Sequence, residues 1–185
     1  MIKQLKPKKC RECKEEFQPR TSLQIVCSPI CAQKQASAKQ IQKEAKEWRV
    51  EAKGIREKLK THKDWLKDLQ VVFNTFIRER DKHDKCISCG CTMIGRKGDA
   101  SHYYSVGSSP SLRVDEDNCH LACVPCNQHK GGNLIEYGLR LPFKIGQARF
   151  DALRVKKQLT IHLSIPEIKE LIKKYKFKIL QFTTK

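Results

Sequence analysis

Apolar residues recur along this chain at helical spacing on both sides of a central segment that lacks it. From Ala32 to about Lys60, Ile41, Ala45, Trp48, Ala52, Ile55 and Leu59 alternate steps of four and three, which is one apolar seam of heptad-like period. Gly54 weakens that helix. The seam suits two arrangements equally: a long helix packed on its own domain, or a dimer contact with a second copy. Thr61, three residues before Asp64, reads as an N-cap, and Leu66, Leu69, Phe73 and Phe76 predict a second amphipathic helix over Thr61–Asp81. After Asn133 the chain turns helical again. Gln147–Lys157 is one candidate. Ser164 and Glu167 form a capping box ahead of Ile168, Leu171, Ile172 and Tyr175.

The central segment reads differently. Gly98–Ser105 alternates as a strand, Val106–Pro110 is a loop of small residues, and Asn118–Ala122 is a second short strand. Pro125 suits the first turn of a short helix and Gly131-Gly132 its end. The order is strand, loop, strand, helix.

Cysteine spacing changes the picture. Cys10-x2-Cys13, thirteen residues, then Cys27-x3-Cys31 make two close pairs of thiols. Cys86-x2-Cys89 and Cys123-x2-Cys126 make a second four-Cys set around 33 residues, with Cys91 and Cys119 left over. With no export signal read in the sequence, the chain is expected to stay in the reducing cytoplasm, where disulfides rarely persist, so both sets read as zinc sites. The first unit has no core of its own, and zinc would supply its folding energy.

Charge adds a partner. There are 38 Lys and Arg against 20 Asp and Glu, a net charge of +18. Such an excess points to a polyanion, and no stretch approaches the length of a membrane span, so nucleic acid is the expected partner. Lys173, Lys174 and Lys176 crowd the last helix and are candidate phosphate contacts.

His102, Asn118 and the stretch Cys126–Lys130 (CNQHK) resemble the HNH nucleases, the ββα-metal fingers, and the nine-residue step from Asn118 to Asn127 fits that motif. The chain is more closely similar to the NinG (Rap) recombination proteins of lambdoid phages. FIRERD (Phe76–Asp81), CISCG (Cys86–Gly90), DASHY (Asp99–Tyr103), Leu112-Arg113 and CNQHK-x-GN (Cys126–Asn133) carry that likeness. The amino-terminal four-Cys unit and the Lys-rich helix after it match the family in character.

The resemblance implies a structure-selective endonuclease acting on branched recombination intermediates such as Holliday junctions, in a bacterial host cell. A neutral His is a fit base near pH 7, and a divalent cation, Mg²⁺ or Mn²⁺, can polarise the phosphate. On this reading His102 is the general base, Asn118 orients the loop or the His, and Asn127 offers an amide oxygen to the metal. In many such sites the residue before the base is the second ligand. Here it is Ser101, which leaves Asp99 as the nearest carboxylate candidate. His129 could instead fill the last slot of the motif, and His120 is a second candidate for it, with packing beside the zinc knuckle as its other role. Arg113 and Lys130 are candidate phosphate contacts.

The expected fold is α+β: a zinc-clamped ββα-metal core over residues 82–140, after an N-terminal zinc unit (1–31) and a basic helical segment (32–81), and before a basic helical region (141–185). The expected partners are branched DNA, a second copy of the chain, and phage or host recombination proteins. Two other functions share the scaffold: a non-catalytic zinc-finger DNA-binding recombination accessory, and a nuclease of restriction or homing type. The trio of His102, Asn118 and Asn127 separates the nucleases from the accessory, because binding alone needs no base.

Overall fold

The computed structural model describes residues 5–183. It divides into two compact units, the first ending at Leu59 and the second beginning at Lys60. The segment 32–81 is therefore split between them.

In the first unit, strands β1 (Lys8–Lys9) and β2 (Glu16–Phe17) pair antiparallel. Between them the Cys10 amide donates to the Glu15 carbonyl at 2.8 Å, and Lys14 turns the chain at φ 67°. Helix α1 (Pro29–Lys58) starts three residues earlier than its apolar spacing predicts. The reason is a cap: the Ser28 hydroxyl accepts from the Cys31 amide at 3.2 Å, and Pro29 occupies the first helical position. Cys31 is the one buried residue of α1.

The second unit is α+β with two apolar cores. Helix α2 (His62–Arg80) carries the predicted cap as a full capping box between Thr61 and Asp64. It buries Trp65, Leu69, Phe73, Phe76 and Ile77. These pack against Ile168, Ile172 and Tyr175 of the last helix, labelled α5 (Ile165–Thr183). Tyr175 meets Phe73 edge-on at 5.1 Å between ring centres. The Ser164 amide donates to the Glu167 carboxylate at 2.7 Å, so the second predicted capping box also forms.

Strands β3 (Gly98–His102) and β4 (Cys119–Cys123) pair antiparallel, with His102 opposite Cys119 and Gly98 opposite Cys123. β3 ends three residues short of Ser105, because the Asn118 side chain takes over the Tyr104 backbone: Tyr104 N–H donates to Asn118 Oδ1 at 2.8 Å, and Asn118 Nδ2 donates back to the Tyr104 carbonyl at 3.0 Å. The short helix expected at Pro125 is one wide turn, Pro125–His129, closed by Lys130 N–H donating to the Pro125 carbonyl at 3.1 Å.

Two further helices complete the second core. α3 (Leu134–Ile145) starts where the sequence turns helical after Asn133, although the sequence pattern does not set its bounds, and it carries Gly138 and Pro142 inside it. Packing explains the glycine: a Cβ at Gly138 would stand 2.8 Å from the Tyr103 hydroxyl oxygen. α4 (Gln147–Lys156) follows the sequence expectation within one residue. Tyr137, Leu141 and Leu153 bury with Leu112 and Leu121.

Arg80 and Asp81 fasten the end of α2 to β4. Arg80 Nε and Nη2 donate to the Asp81 carboxylate at 2.7 and 2.9 Å, and Nη2 also reaches the Cys119 carbonyl at 2.9 Å. The same carboxylate accepts the Leu121 amide at 3.1 Å. Burial works against this charge, but the hydrogen bonds from Arg80 outweigh it and hold the Asp81 carboxyl well below the usual range. Replacing Asp81 by Ala removes half of a buried pair and orphans the Leu121 amide. We expect a loss of about 3 kcal/mol. Glu136→Ala, which breaks the exposed pair with Arg140, should cost under about 0.5 kcal/mol. Urea unfolding of both variants checks this, and equal losses would contradict it.

Candidate metal centres and the His102 loop

The sulfur atoms of Cys10, Cys13, Cys27 and Cys31 all lie within 4.8 Å of one another, and so do those of Cys86, Cys89, Cys123 and Cys126. The pairs Cys13–Cys27 and Cys27–Cys31 stand at 3.6 Å, and Cys89–Cys123 at 3.8 Å. A disulfide needs about 2.05 Å. A tetrahedron with Zn–S bonds of about 2.3 Å has S···S edges of about 3.8 Å. The spacing thus fits four ligands of one zinc ion, and all ten cysteines are unbridged.

The electrostatics agree. Cys13 and Cys31 beside Cys27 push its thiol up to about 12. Burial, then Cys123 and Cys89, push the Cys126 thiol up to about 12. Four thiols this close cannot all ionise unless a cation joins them, and a bound Zn²⁺ reverses that balance. Backbone groups already face the sulfurs: the Cys27 amide donates to Cys10 Sγ at 3.4 Å, and the Cys123 amide to Cys86 Sγ at 3.3 Å. Cys91 sits beside the second set as a supplier of backbone, its carbonyl accepting from the Cys86 amide at 2.9 Å. Cys119 belongs elsewhere, against His102.

The structure brings Asp99 and Asn127 together. Asp99 is on β3 and Asn127 in the wide turn that begins beside Cys126. Asn127 Nδ2 donates to Asp99 Oδ2 at 3.0 Å, and Gln128 Nε2 donates to the same oxygen at 2.8 Å. Asp99 is half-buried. The Asn127 amide presents its nitrogen to Asp99; only with the amide turned over would its carbonyl and the carboxylate form an oxygen-donor set of the kind Mg²⁺ accepts. Gln128 carried no role in the sequence, although it lies inside the quoted CNQHK stretch.

His102 is half-buried and stands apart from that pair. Strand alternation puts residues 99 and 102 on opposite faces of the hairpin. Among the described residues no hydrogen bond joins His102 to Asp99 or Asn127. His102 Nε2 is 2.9 Å from the Arg113 carbonyl, so this nitrogen carries the proton and donates. Nδ1 holds the lone pair and faces Cys119 Sγ at 3.5 Å. Burial keeps the imidazole below its ordinary pKa, hence neutral at pH 7. Burial likewise pushes the Cys119 thiol up, so it stays protonated.

Asn118 is fully buried and ties the loop shut. Its Nδ2 reaches the Leu112 carbonyl at 3.2 Å as well as Tyr104, and its contacts are with loop backbone, not with His102. His120 is buried as well. Nδ1 accepts from Arg80 Nη2 at 2.9 Å, and Nε2 donates to the Asp117 carbonyl at 3.1 Å, which leaves no free lone pair. His129 and Lys130 are exposed on the turn after β4. Arg113 is half-buried, and its guanidinium donates to Gln70 at 3.2 Å. Lys173, Lys174 and Lys176 are exposed on α5, with Lys173 paired to Glu170 at 2.7 Å. Arg80 and Asp81 were visible only as part of a family-like string. An Arg-Asp pair ending a helix ahead of a metal knuckle is the signal that could have marked them.

Metal analysis of the purified protein should find two zinc ions per chain. Cys123→Ser should lose one and unfold the second unit, because Cys123 is buried in its core. Cys13→Ser, at an exposed position, should lose only the first. A wild-type protein with a single zinc would contradict the reading.

Comparison with known proteins places these features in a family. The sequence model described as Bacteriophage Lambda NinG protein matches residues 2–184. The chain is 40% identical over 159 residues to Protein ninG of Salmonella phage P22, covering 78% of each chain. It is 37% identical over 156 residues to Protein ninG of Escherichia phage lambda, covering 77% of this chain and 76% of that one. No solved structure matches it. With nearly its whole length aligned and both four-Cys sets assembled, the chain belongs to the NinG family.

Proposed function

We propose that the second unit is a zinc-clamped ββα-metal nuclease core and that the chain is a metal-dependent endonuclease hydrolysing phosphodiester bonds in DNA. The observation that carries this reading is the contact of Asp99 with Asn127, a carboxylate and an amide held together beside the four-Cys set and on the same short hairpin as a neutral His. The preference for branched DNA rests on the resemblance of the motifs to recombination nucleases. The net charge of +18 supports a DNA partner of either form.

When bound, Mg²⁺ or Mn²⁺ polarises the phosphate and stabilises charge on the leaving oxygen. Asp99 and the Asn127 carbonyl would hold it. The protein's own contribution is the imidazole. The Arg113 carbonyl fixes the proton on Nε2, which leaves Nδ1 as the basic nitrogen that takes a proton from an attacking water. The buried Cys119 thiol is a weak donor at 3.5 Å, and Nδ1 can serve as base only if a water takes its place at that lone pair. Lys130, exposed on the turn that carries Asn127, is placed to meet a phosphate.

A second reading has its own support. Both ring nitrogens of His102 are occupied, and no bond links the ring to Asp99. That suits a structural latch in a non-catalytic zinc DNA-binding protein. One assay separates the two: cleavage of four-way junction, flap, duplex and single-stranded DNA, in Mg²⁺ or EDTA. The nuclease reading expects Mg²⁺-dependent cutting, strongest on the junction. It expects His102→Ala to lose about 10²-fold or more in rate while keeping zinc and DNA binding. Normal cutting by a folded His102→Ala would remove the base. No cutting by wild type on any DNA would favour the accessory.

The pH profile follows from burial. The base works unprotonated, and a depressed pKa moves its protonation to lower pH. The rate should stay level from pH 8 down to about 6.5, the ordinary His value, and fall only below it. A fall already complete at pH 7 would contradict this. DNA affinity should drop steeply with salt, and replacing Lys173, Lys174 and Lys176 together by Gln should flatten the log–log slope. An unchanged slope would mean α5 touches no DNA.

A further inference from the structure

α1 is a 30-residue helix, about 45 Å long, with an apolar seam that nothing covers among the described residues. Ile41 is 64% exposed, Trp48 69%, Ile55 53% and Leu59 75%. In heptad terms the large residues Ile41, Trp48 and Ile55 fall at d, and Ala38, Ala45, Ala52 and Leu59 at a. Three heptads of exposed seam demand a partner, and the charges beside the seam say which.

The positions flanking the seam are of opposite sign. Glu44 and Glu51 fall at g, and Arg49 and Arg56 at e. Within the chain, Glu44 accepts only from Gln40, at 2.8 Å, and among the described residues Arg49, Glu51 and Arg56 make no ion pair. In a parallel two-stranded coil each g residue faces the e′ residue five positions on. Glu44 then meets Arg49 of the second copy, Glu51 meets Arg56, and symmetry doubles both. In an antiparallel coil g faces g′ and e faces e′, which sets Glu44 against Glu51 and one Arg against another. Like charges at such positions repel.

We infer that α1 is the dimerisation element of this protein, forming a parallel two-stranded coiled coil with α1 of a second copy through Ile41, Trp48 and Ile55, with Glu44–Arg49 and Glu51–Arg56 pairs between chains. Alanine at most a positions lets the two helices approach closely, while the d layers supply the apolar area. A parallel pair has its two-fold axis along the coil. It sets the two four-Cys knuckles at one end, and both chains leave toward their second units at the other. The inference is independent of the catalytic reading, because it uses no residue of the second unit.

Sedimentation equilibrium of the full zinc-loaded chain tests it. Wild type should reach twice the chain mass of 21.4 kDa as concentration rises. Arg49→Glu with Arg56→Glu turns four attractive contacts into repulsive ones, and should raise the dimer dissociation constant about tenfold or more. An antiparallel coil would be little changed by the same pair, since it exchanges like charges for like charges. Adding Glu44→Arg and Glu51→Arg to that variant restores opposite signs in the parallel register, and should restore the dimer. All these positions are exposed, so helicity and zinc content should stay at wild-type level. A wild type that stays monomeric at every concentration overturns the inference. So does a double variant that dimerises as wild type does, or a fourfold variant that stays monomeric with its helicity and zinc intact.

Discussion

Everything in the second unit hangs on four sulfur atoms that cannot stay together by themselves. Cys86, Cys89, Cys123 and Cys126 lie within 4.8 Å of one another, and burial with mutual proximity pushes Cys126 up to about 12. The hairpin they hold has only five residues in each strand, too few to be stable alone in water. A divalent cation would resolve the crowding and at the same time fasten the CISC knuckle to the end of β4. The wide turn after β4 then has a fixed start at Cys126, and Asn127 and Gln128 are delivered to Asp99.

A second anchor acts on the backbone edge of β4. The Arg80–Asp81 pair reaches the Cys119 carbonyl and the Leu121 amide, so the end of α2 holds β4 in register. It also engages His120, which removes that residue from chemistry. Asn118 performs the parallel task for the loop before β4, with both ends of its amide given to backbone. Arg80, Asp81 and Asn118 thus specify the position of β4 and of the loop before it. His102 is left as the neutral imidazole of the hairpin, oriented by a backbone carbonyl.

The first unit follows a different logic. It buries Cys10 and Cys31 and little else, so its order rests on the four-Cys knuckle, which a metal would close, and on the local hydrogen bonds of a capped helix. A helix with its apolar seam in water is costly for one chain and useful to a pair. The chain thereby has two physical handles, a sulfur clamp that holds a site together and, on the inference drawn above, a charged seam that would select a second copy. The enzymatic activity itself stays a proposal resting on Asp99, Asn127 and His102.

What could be read from the sequence was whatever depends on short spacing. Both caps, the heptad seam and the close Cys pairs are local patterns, and the structure forms each of them, because caps and knuckles are made by residues close along the chain. That the chain turns helical after Asn133 was legible, but the bounds of α3 were not, and only the Tyr103 ring pressing on the helix explains its Gly138. The early end of β3 was not legible either, since it depends on Asn118 sixteen residues away from His102. The face on which each strand residue lies was decided by register alone. That is why Asp99 meets Asn127 while His102, three residues further on, turns to Arg113 and Cys119. Spacing in sequence names the residues of a site; pairing between strands decides which of them share a side.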